Sequence, residues 1–280
     1  MSPIRRLAFV VNTEKPGAAQ LARELIAIAR TVGVRRIKSR PAHKLPRGYF
    51  KGSDAGCIIG GDGTLLGAVT EAATAGVPLI GVNQGSLGYL TSFSPEEARA
   101  CFGEVLLGQY RVAPRTLLEC RTAPRRRDLA LNDVLIKAEV NSQLVRLEVR
   151  ADGELVTDYL CDGLVLSTPT GSTAYNLSAG GPILHPAAGV IAMTPICPHT
   201  LSNRTIVFND GVKLSIRNCS PDSRLLVALD GQRNRSVVHG SSVEVTIAKR
   251  HLGLVQRRDY RHFSVMRAKL KWSGGLTDKK

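Results

Sequence analysis

Residues 1–111 alternate compact apolar runs with segments whose apolar side chains recur at helical spacing, a pattern that leaves few folds open. Ile4 to Asn12 reads as a buried strand. Pro16 suits an early helical position, and Ala18, Leu21, Leu25, Ile28 and Ala29 continue at helical spacing up to Gly33. Val34 to Gly56, broken by Pro41 and Pro46, reads as a short strand and a loop. A strand through Cys57-Ile58-Ile59 then stops at a glycine cluster, and the Leu- and Ala-rich stretch from Thr64 to Ala75 reads as a helix. Val77 to Val82 is another apolar run, followed by a second glycine loop from Asn83 to Leu90. Pro95 to Leu107 reads as a helix capped by Ser94 and closed by Gly108. Such alternation predicts a Rossmann-like α/β domain with a mostly parallel sheet, whose ligands sit beyond the carboxyl ends of the strands. Both glycine loops fall there.

The first loop, Gly60-Gly61-Asp62-Gly63-Thr64-Leu65-Leu66-Gly67, has the geometry that suits phosphate. Glycine lets a ligand approach the backbone, and free N–H groups at a helix start attract anions. Asp62 is the odd residue. A carboxylate among groups arranged for anions repels a phosphate unless it holds a metal ion or takes a proton from an attacking hydroxyl.

From Val112 onward helical periodicity fades and short strand-like runs recur, at 116–121, 129–138, 144–150, 154–160, 163–168, 205–208, 212–217, 224–229 and 243–248. Asp152-Gly153 and Asp230-Gly231 read as hairpin turns. The expected organisation is therefore a first domain over 1–111, a β-rich, β-sandwich-like second domain over 112–265, and a tail over 266–280 that is disordered from Gly274.

Composition narrows the function. Lys and Arg total 38 against 23 Asp and Glu, a net charge of +15, which favours anionic partners. The clusters Arg35-Arg36, Arg125-Arg126-Arg127 and Arg257-Arg258 are short and lack interleaved aromatics, so nucleic acid is not expected as a partner. Six scattered cysteines without a CxxC pair read as reduced core thiols. No apolar run is long enough for a signal region or a bilayer span, so a cytoplasmic protein without membrane contact is expected. There is no Gly-Lys-Ser/Thr, no HExxH, and the glycines at 61, 63 and 67 miss the dinucleotide fingerprint by one residue. Asn176 stands where a nucleophile elbow at Ser178 would need glycine. Cys197 and His199 are two ligands without a third, and no protein-built metal site is expected.

Two polar stretches remain. Asn132-Asp133 interrupts an apolar strand, either as a simple turn or as groups that hydrogen-bond a nucleobase or ribose. Cys161 to Pro182 runs from a strand into a long turn rich in hydroxyls and glycine, with many small donors and no positive charge, which points to binding.

Together, Gly60-Gly61-Asp62-Gly63-Thr64, Asn132-Asp133, Asp162-Gly163 through Ser178, and Pro195-Ile196-Cys197-Pro198-His199-Thr200-Leu201-Ser202 closely resemble the NAD kinase family, over residues 4 to 265. The resemblance implies phosphorylation of the 2′-hydroxyl of the adenosine ribose of NAD, with Asp62 as base. Gly61, Gly63 and Thr64 would hold the phosphates of ATP, or of polyphosphate, together with Mg²⁺ or another divalent cation. It further implies that Asn132, Asp133, Asp162, Thr173, Ala174, Tyr175 and Ser178 contact NAD, with Asn176 in the same segment and Gln232 and Gln143 nearby. The family forms homo-oligomers, so a dimer or tetramer is expected. Three departures stand out: Asp133 where the family usually has Glu, Leu160 where Lys or Arg is frequent, and Ser92 in place of a frequent Asp. The competing readings are a diacylglycerol-type lipid kinase, which shares the glycine loop, and a basic nucleotide- or nucleic-acid-binding protein without activity.

Overall fold

The computed structural model describes residues 1–272 except 86, 87, 141, 142, 201, 202 and 222. Ser86 and Leu87 of the second glycine loop, Leu201 and Ser202 of the Pro195 motif, and the stretch from Gly274 expected to be disordered lie outside the described residues. The chain divides into two compact units, residues 1–113 with 253–280, and residues 114–252.

The first unit begins with β1 (Arg6–Val11), α1 (Ala18–Thr31), β2 (Arg36–Pro41), β3 (Ala55–Gly60), α2 (Asp62–Ala75), β4 (Leu79–Asn83), α3 (Pro95–Leu106) and β5 (Arg111–Arg115). β3 and β4 are buried at every residue, the signature of strands covered on both faces. α1 buries Ala18, Leu21, Ala22, Leu25 and Ala29, the helical-period set. α3 starts on a capping box: the Ser94 hydroxyl accepts from the Glu97 N–H at 3.1 Å, and the Glu97 carboxylate accepts from the Ser94 N–H at 2.8 Å.

The second unit holds β6 (Leu118–Ala123), β7 (Arg126–Ala130), β8 (Asp133–Ala138), β9 (Val145–Ala151), β10 (Glu154–Cys161), β11 (Gly163–Ser167), the single-turn α4 (Tyr175–Ser178), β12 (Val190–Ile196), β13 (Ile206–Asn209), β14 (Leu214–Asn218), β15 (Leu225–Leu229), β16 (Arg233–Val237) and β17 (Ser242–Ile247). They form two antiparallel sheets, β10-β9-β14-β17-β6-β7 and β13-β12-β11-β8-β15-β16. Alternate residues of both, among them Leu147, Val149, Ile216 and Val245 from one and Val134, Ile136, Leu164 and Met193 from the other, share one buried core, which makes the unit a β-sandwich. The two Asp-Gly turns adopt the left-handed backbone that hairpins favour, with φ of 51° at Asp152 and 52° at Asp230.

The chain then returns to the first unit. β18 (Leu252–Gln256) inserts beside β4, giving the sheet order β2-β1-β3-β4-β18-β5, and α5 (His262–Leu270) follows. Assigning 112–265 to one domain and 266–280 to a tail therefore misses both elements. Leu252, Leu254 and Val255 are buried, but a strand-like run carries no mark of which sheet it will join. α5 escapes a periodicity search because Met266 is its one buried residue. Among the described residues no helix is long and apolar enough to cross a membrane.

Candidate active site

In the first unit, α2 starts directly at Asp62, with Gly61 as its N-cap, two residues earlier than the sequence pattern indicated. Gly61 has an extended backbone, φ −117°, so glycine is not required there by conformation. Space is tight there, because a Cβ at 61 would stand 3.0 Å from the Nζ of Lys15, which would have to give by a few tenths of an ångström. A Cβ at Gly60 would overlap Thr64, whose hydroxyl accepts from the Asn12 amide at 3.3 Å and ties the turn after β1 to the glycine loop. Gly61, Asp62, Gly63 and Thr64 thus lie on the cap and first turn of a helix at the carboxyl end of β3.

Asp62 is half-buried and reaches across to the second glycine loop. Its Oδ1 accepts from the Leu90 and Thr91 N–H groups and from the Thr91 hydroxyl, each at 3.2 Å, while Oδ2 accepts from the Tyr89 N–H at 2.8 Å. Three donors on one oxygen and one on the other orient the carboxylate and leave Oδ2 with spare acceptor capacity. Gly88 makes the approach possible, since a Cβ there would fall inside the Asp62 carboxylate. This clamp joins residues far apart in sequence, and nothing in their local pattern announces it.

In the second unit, Asp230 organises the Asn132-Asp133 corner. Its carboxylate accepts from the N–H groups of Leu131 at 3.0 Å, Asn132 at 2.7 Å and Asp133 at 3.3 Å, and its own N–H donates to the Asp133 carbonyl. The turn residue Asp230 thus has a structural task that its Asp-Gly context concealed. Asp133 is 6% exposed. Burial first, and the neighbouring Asp230 charge second, push its carboxyl up to about 7. Burial also raises Asp230, against its three N–H donors and Arg233, which makes Asp230 the better-stabilised anion of the pair.

The hydroxyl-rich turn packs on the same corner. Thr168 donates its N–H to the Asn132 carbonyl and its hydroxyl to the Leu131 carbonyl, and Gly171 is needed because a Cβ would overlap the Asn132 backbone. Thr173 and Ala174 are half-buried, and Tyr175 and Ser178 are exposed. A cavity of about 320 Å³ gathers Gln143, Asp162 and Tyr175 with Lys137, a cation the sequence reading did not assign. The Asp162 carboxylate, close to Cys197, raises the thiol pKa of that exposed residue. Gln232 is exposed in the β15–β16 turn.

Asn176 departs from expectation. It is fully buried, its amide nitrogen donates to the carbonyls of Ser172 at 3.2 Å and Pro182 at 3.1 Å, and its oxygen accepts from the Thr194 hydroxyl at 2.7 Å. With its polar atoms so engaged it holds the turn together and offers nothing to a ligand, a role its position within a binding segment could not reveal.

Comparison with known proteins bears on both units. Residues 48–110 match the family model of the ATP-NAD kinase N-terminal domain and residues 131–257 that of the ATP-NAD kinase C-terminal domain. An NAD kinase of Geotalea daltonii is 39% identical over 224 residues, 79% of either chain, and one of Geobacter sulfurreducens is 34% identical over 281 residues, 96% of this chain and 99% of that one. Among solved structures, yeast NADH kinase complexed with NADH superposes with a TM-score of 0.84 at 22% identity, covering 99% of this chain and 90% of its own. An Archaeoglobus fulgidus NAD kinase in complex with ATP gives 0.76 at 23% identity, covering 95% and 98%. Those structures share the fold, the bacterial sequences share identity along nearly the whole length, and the glycine-bounded carboxylate sits where the strands end: the chain belongs to the NAD kinase family.

Proposed function

We propose that this chain transfers the γ-phosphoryl group of ATP to the 2′-hydroxyl of the adenosine ribose of NAD, giving NADP and ADP. The observation that carries the reading is the Asp62 carboxylate, fixed by four donors at the carboxyl end of a parallel sheet on the turn that begins a glycine-flanked helix. Asp62 takes the hydroxyl proton at Oδ2, where it has acceptor capacity to spare. The ribose oxygen forms its bond to the γ-phosphorus as the bond from that phosphorus to the β,γ-bridging oxygen breaks, and the electron pair leaves with ADP. Gly61, Gly63 and Thr64 lie at the start of α2, where the positive end of the helix dipole favours the donor phosphates. Such transfer gains mostly from alignment and charge stabilisation.

The glycine loop offers one carboxylate and it is already engaged by four donors, so Mg²⁺ would arrive on the triphosphate and be held mainly by its phosphates and waters. Held there by the donor phosphates it would offset their charge and leave Asp62 Oδ2 to the proton. Asn132, Asp133, Asp162, Thr173, Ala174, Tyr175, Ser178, Gln143 and Gln232 form the NAD-recognising set, with Asn176 supporting the turn from within. The protein works in the cytoplasm as a homo-oligomer in this reading. Nothing in the comparisons favours a lipid kinase.

The test is to incubate the chain and Mg²⁺ with NAD and either ATP or polyphosphate, and separately with ATP and a diacylglycerol. NADP formation with ATP supports the assignment, and NADP from polyphosphate as well would widen the donor range. Phosphatidic acid without NADP, or no product in any arm, overturns it.

A further inference from the structure

Lys15 plays no part in the family resemblance, yet its ammonium group lies over the glycine loop. The turn that carries it is held from several sides. The Asn12 N–H donates to the Ile59 carbonyl at 2.8 Å, the Lys15 N–H to the Asn12 carbonyl at 3.1 Å, the Glu14 N–H to the Asn12 side chain at 3.2 Å, and the Gln84 amide to the Pro16 carbonyl at 2.7 Å. The half-buried side chain then donates from Nζ to the Gln84 carbonyl at 2.8 Å. Its position follows from the glycines beneath it: a Cβ would stand 3.0 Å from Nζ at Gly61 and 3.7 Å at Gly85. The charge therefore sits above the backbone of both glycine loops, at the carboxyl ends of β1, β3 and β4.

Its electrostatic situation is incomplete. Among the described residues Lys15 has no carboxylate within ion-pair distance, and a single carbonyl occupies one of its three N–H donors. The nearest loop carboxylate, Asp62, is turned to Tyr89, Leu90 and Thr91. A partly desolvated ammonium group without a counter-ion, beside the positive end of a helix dipole, calls for an anion, and phosphate is the anion such a loop takes.

We infer that Lys15 is a catalytic residue of the first unit, its Nζ contacting the phosphates of the triphosphate donor and stabilising the charge that gathers on the transferring group and the leaving diphosphate. The inference rests on the phosphotransferase reading above. It also bears on the glycine at 61, because a side chain there would crowd the ammonium group. Lys15 itself takes up no proton: the ribose proton goes to Asp62 and the electron pair to ADP.

The test uses the full-length chain with Lys15→Met, which keeps the aliphatic stem and removes the charge, and Lys15→Arg, which restores a cation. Three quantities are read on each: the Kd of MgATP by calorimetry without NAD, the Kd of NAD without donor, and kcat/KM for ATP in NADP formation. Removing one preorganised donor to developing charge costs on the order of 10²- to 10³-fold. The expected result is a loss of about 10² in kcat/KM for ATP in Lys15→Met, weakened MgATP binding, NAD binding and melting temperature unchanged, and partial recovery in Lys15→Arg. Retention of wild-type kcat/KM and MgATP affinity in Lys15→Met overturns the inference. So does a loss that falls equally on NAD binding and melting temperature, which would mark a strut for the Gln84 loop. Should the wild type make no NADP, the phosphotransferase reading fails, while the MgATP titration still decides whether Lys15 holds a triphosphate.

Discussion

Replacing Asp133 by Asn probes the most unusual electrostatic feature of the second unit. Asp133 is 6% exposed, makes its backbone hydrogen bond to Asp230, and faces that second carboxylate. Its carboxyl is raised from an ordinary value of 3.8 to about 7 in the folded chain, so the native state binds the proton more tightly than the unfolded state. The stability it contributes is fully present below about pH 4 and lost as pH rises through about 7. About three pH units at about 1.4 kcal/mol each cap the loss at about 4 kcal/mol. Asn has the shape of the protonated acid and cannot ionise. Asp133→Asn is therefore expected to match the wild type near pH 4 and to exceed it progressively between pH 4 and pH 7, with a plateau above. Urea unfolding of both proteins across pH 4 to 8.5, without ligand and under reducing conditions, gives the difference curve. Parallel curves, or a variant that loses ground as pH rises, would refute the reasoning. The same titration decides whether position 133 can donate a hydrogen bond to bound substrate or only accept one.

Two further outcomes follow from the clamp on Asp62. Asp62→Asn is expected to cut turnover on the order of 10²- to 10⁴-fold, the usual worth of a general base, while NAD binding measured by calorimetry persists; wild-type turnover would remove Asp62 from its role as base. Gly88→Ala puts a Cβ where the carboxylate now lies, so its activity should drop as far as that of Asp62→Asn although residue 62 is intact, and an active Gly88→Ala protein would show that the carboxylate works from another position.

Features encoded within a few residues could be read from the sequence. The buried strands β1, β3 and β4, the capping box at Ser94 and the two Asp-Gly turns each depend on local chemistry, and each formed where that chemistry indicated. What stayed hidden depends on contacts between distant segments. The strand Leu252–Gln256 looks like its neighbours in sequence yet pairs with β4, and the hydroxyl-rich turn mixes exposed Tyr175 and Ser178 with wholly internal Asn176. Lys15 and Asp230 were visible as residues, but their importance comes from what lies above Gly61 and beneath Asn132. Side-chain spacing along a chain says little about such encounters.

The return of the chain at β18 has a consequence for how the protein is made. β5 gains its place in the sheet only through β18, which is synthesised after the whole of the second unit, whereas β4 is already paired with β3 and bridged to Phe93. The antiparallel sandwich over 114–252 contains its own core and can close as soon as it leaves the ribosome, whereas the glycine-loop sheet must wait for the strand that joins β5 to it. The glycine-loop unit, though it comes first in this sequence, is thus completed after the sandwich. Premature termination before Leu252 would leave β5 with no strand beside it, the kind of unpaired strand that pairs with other nascent chains.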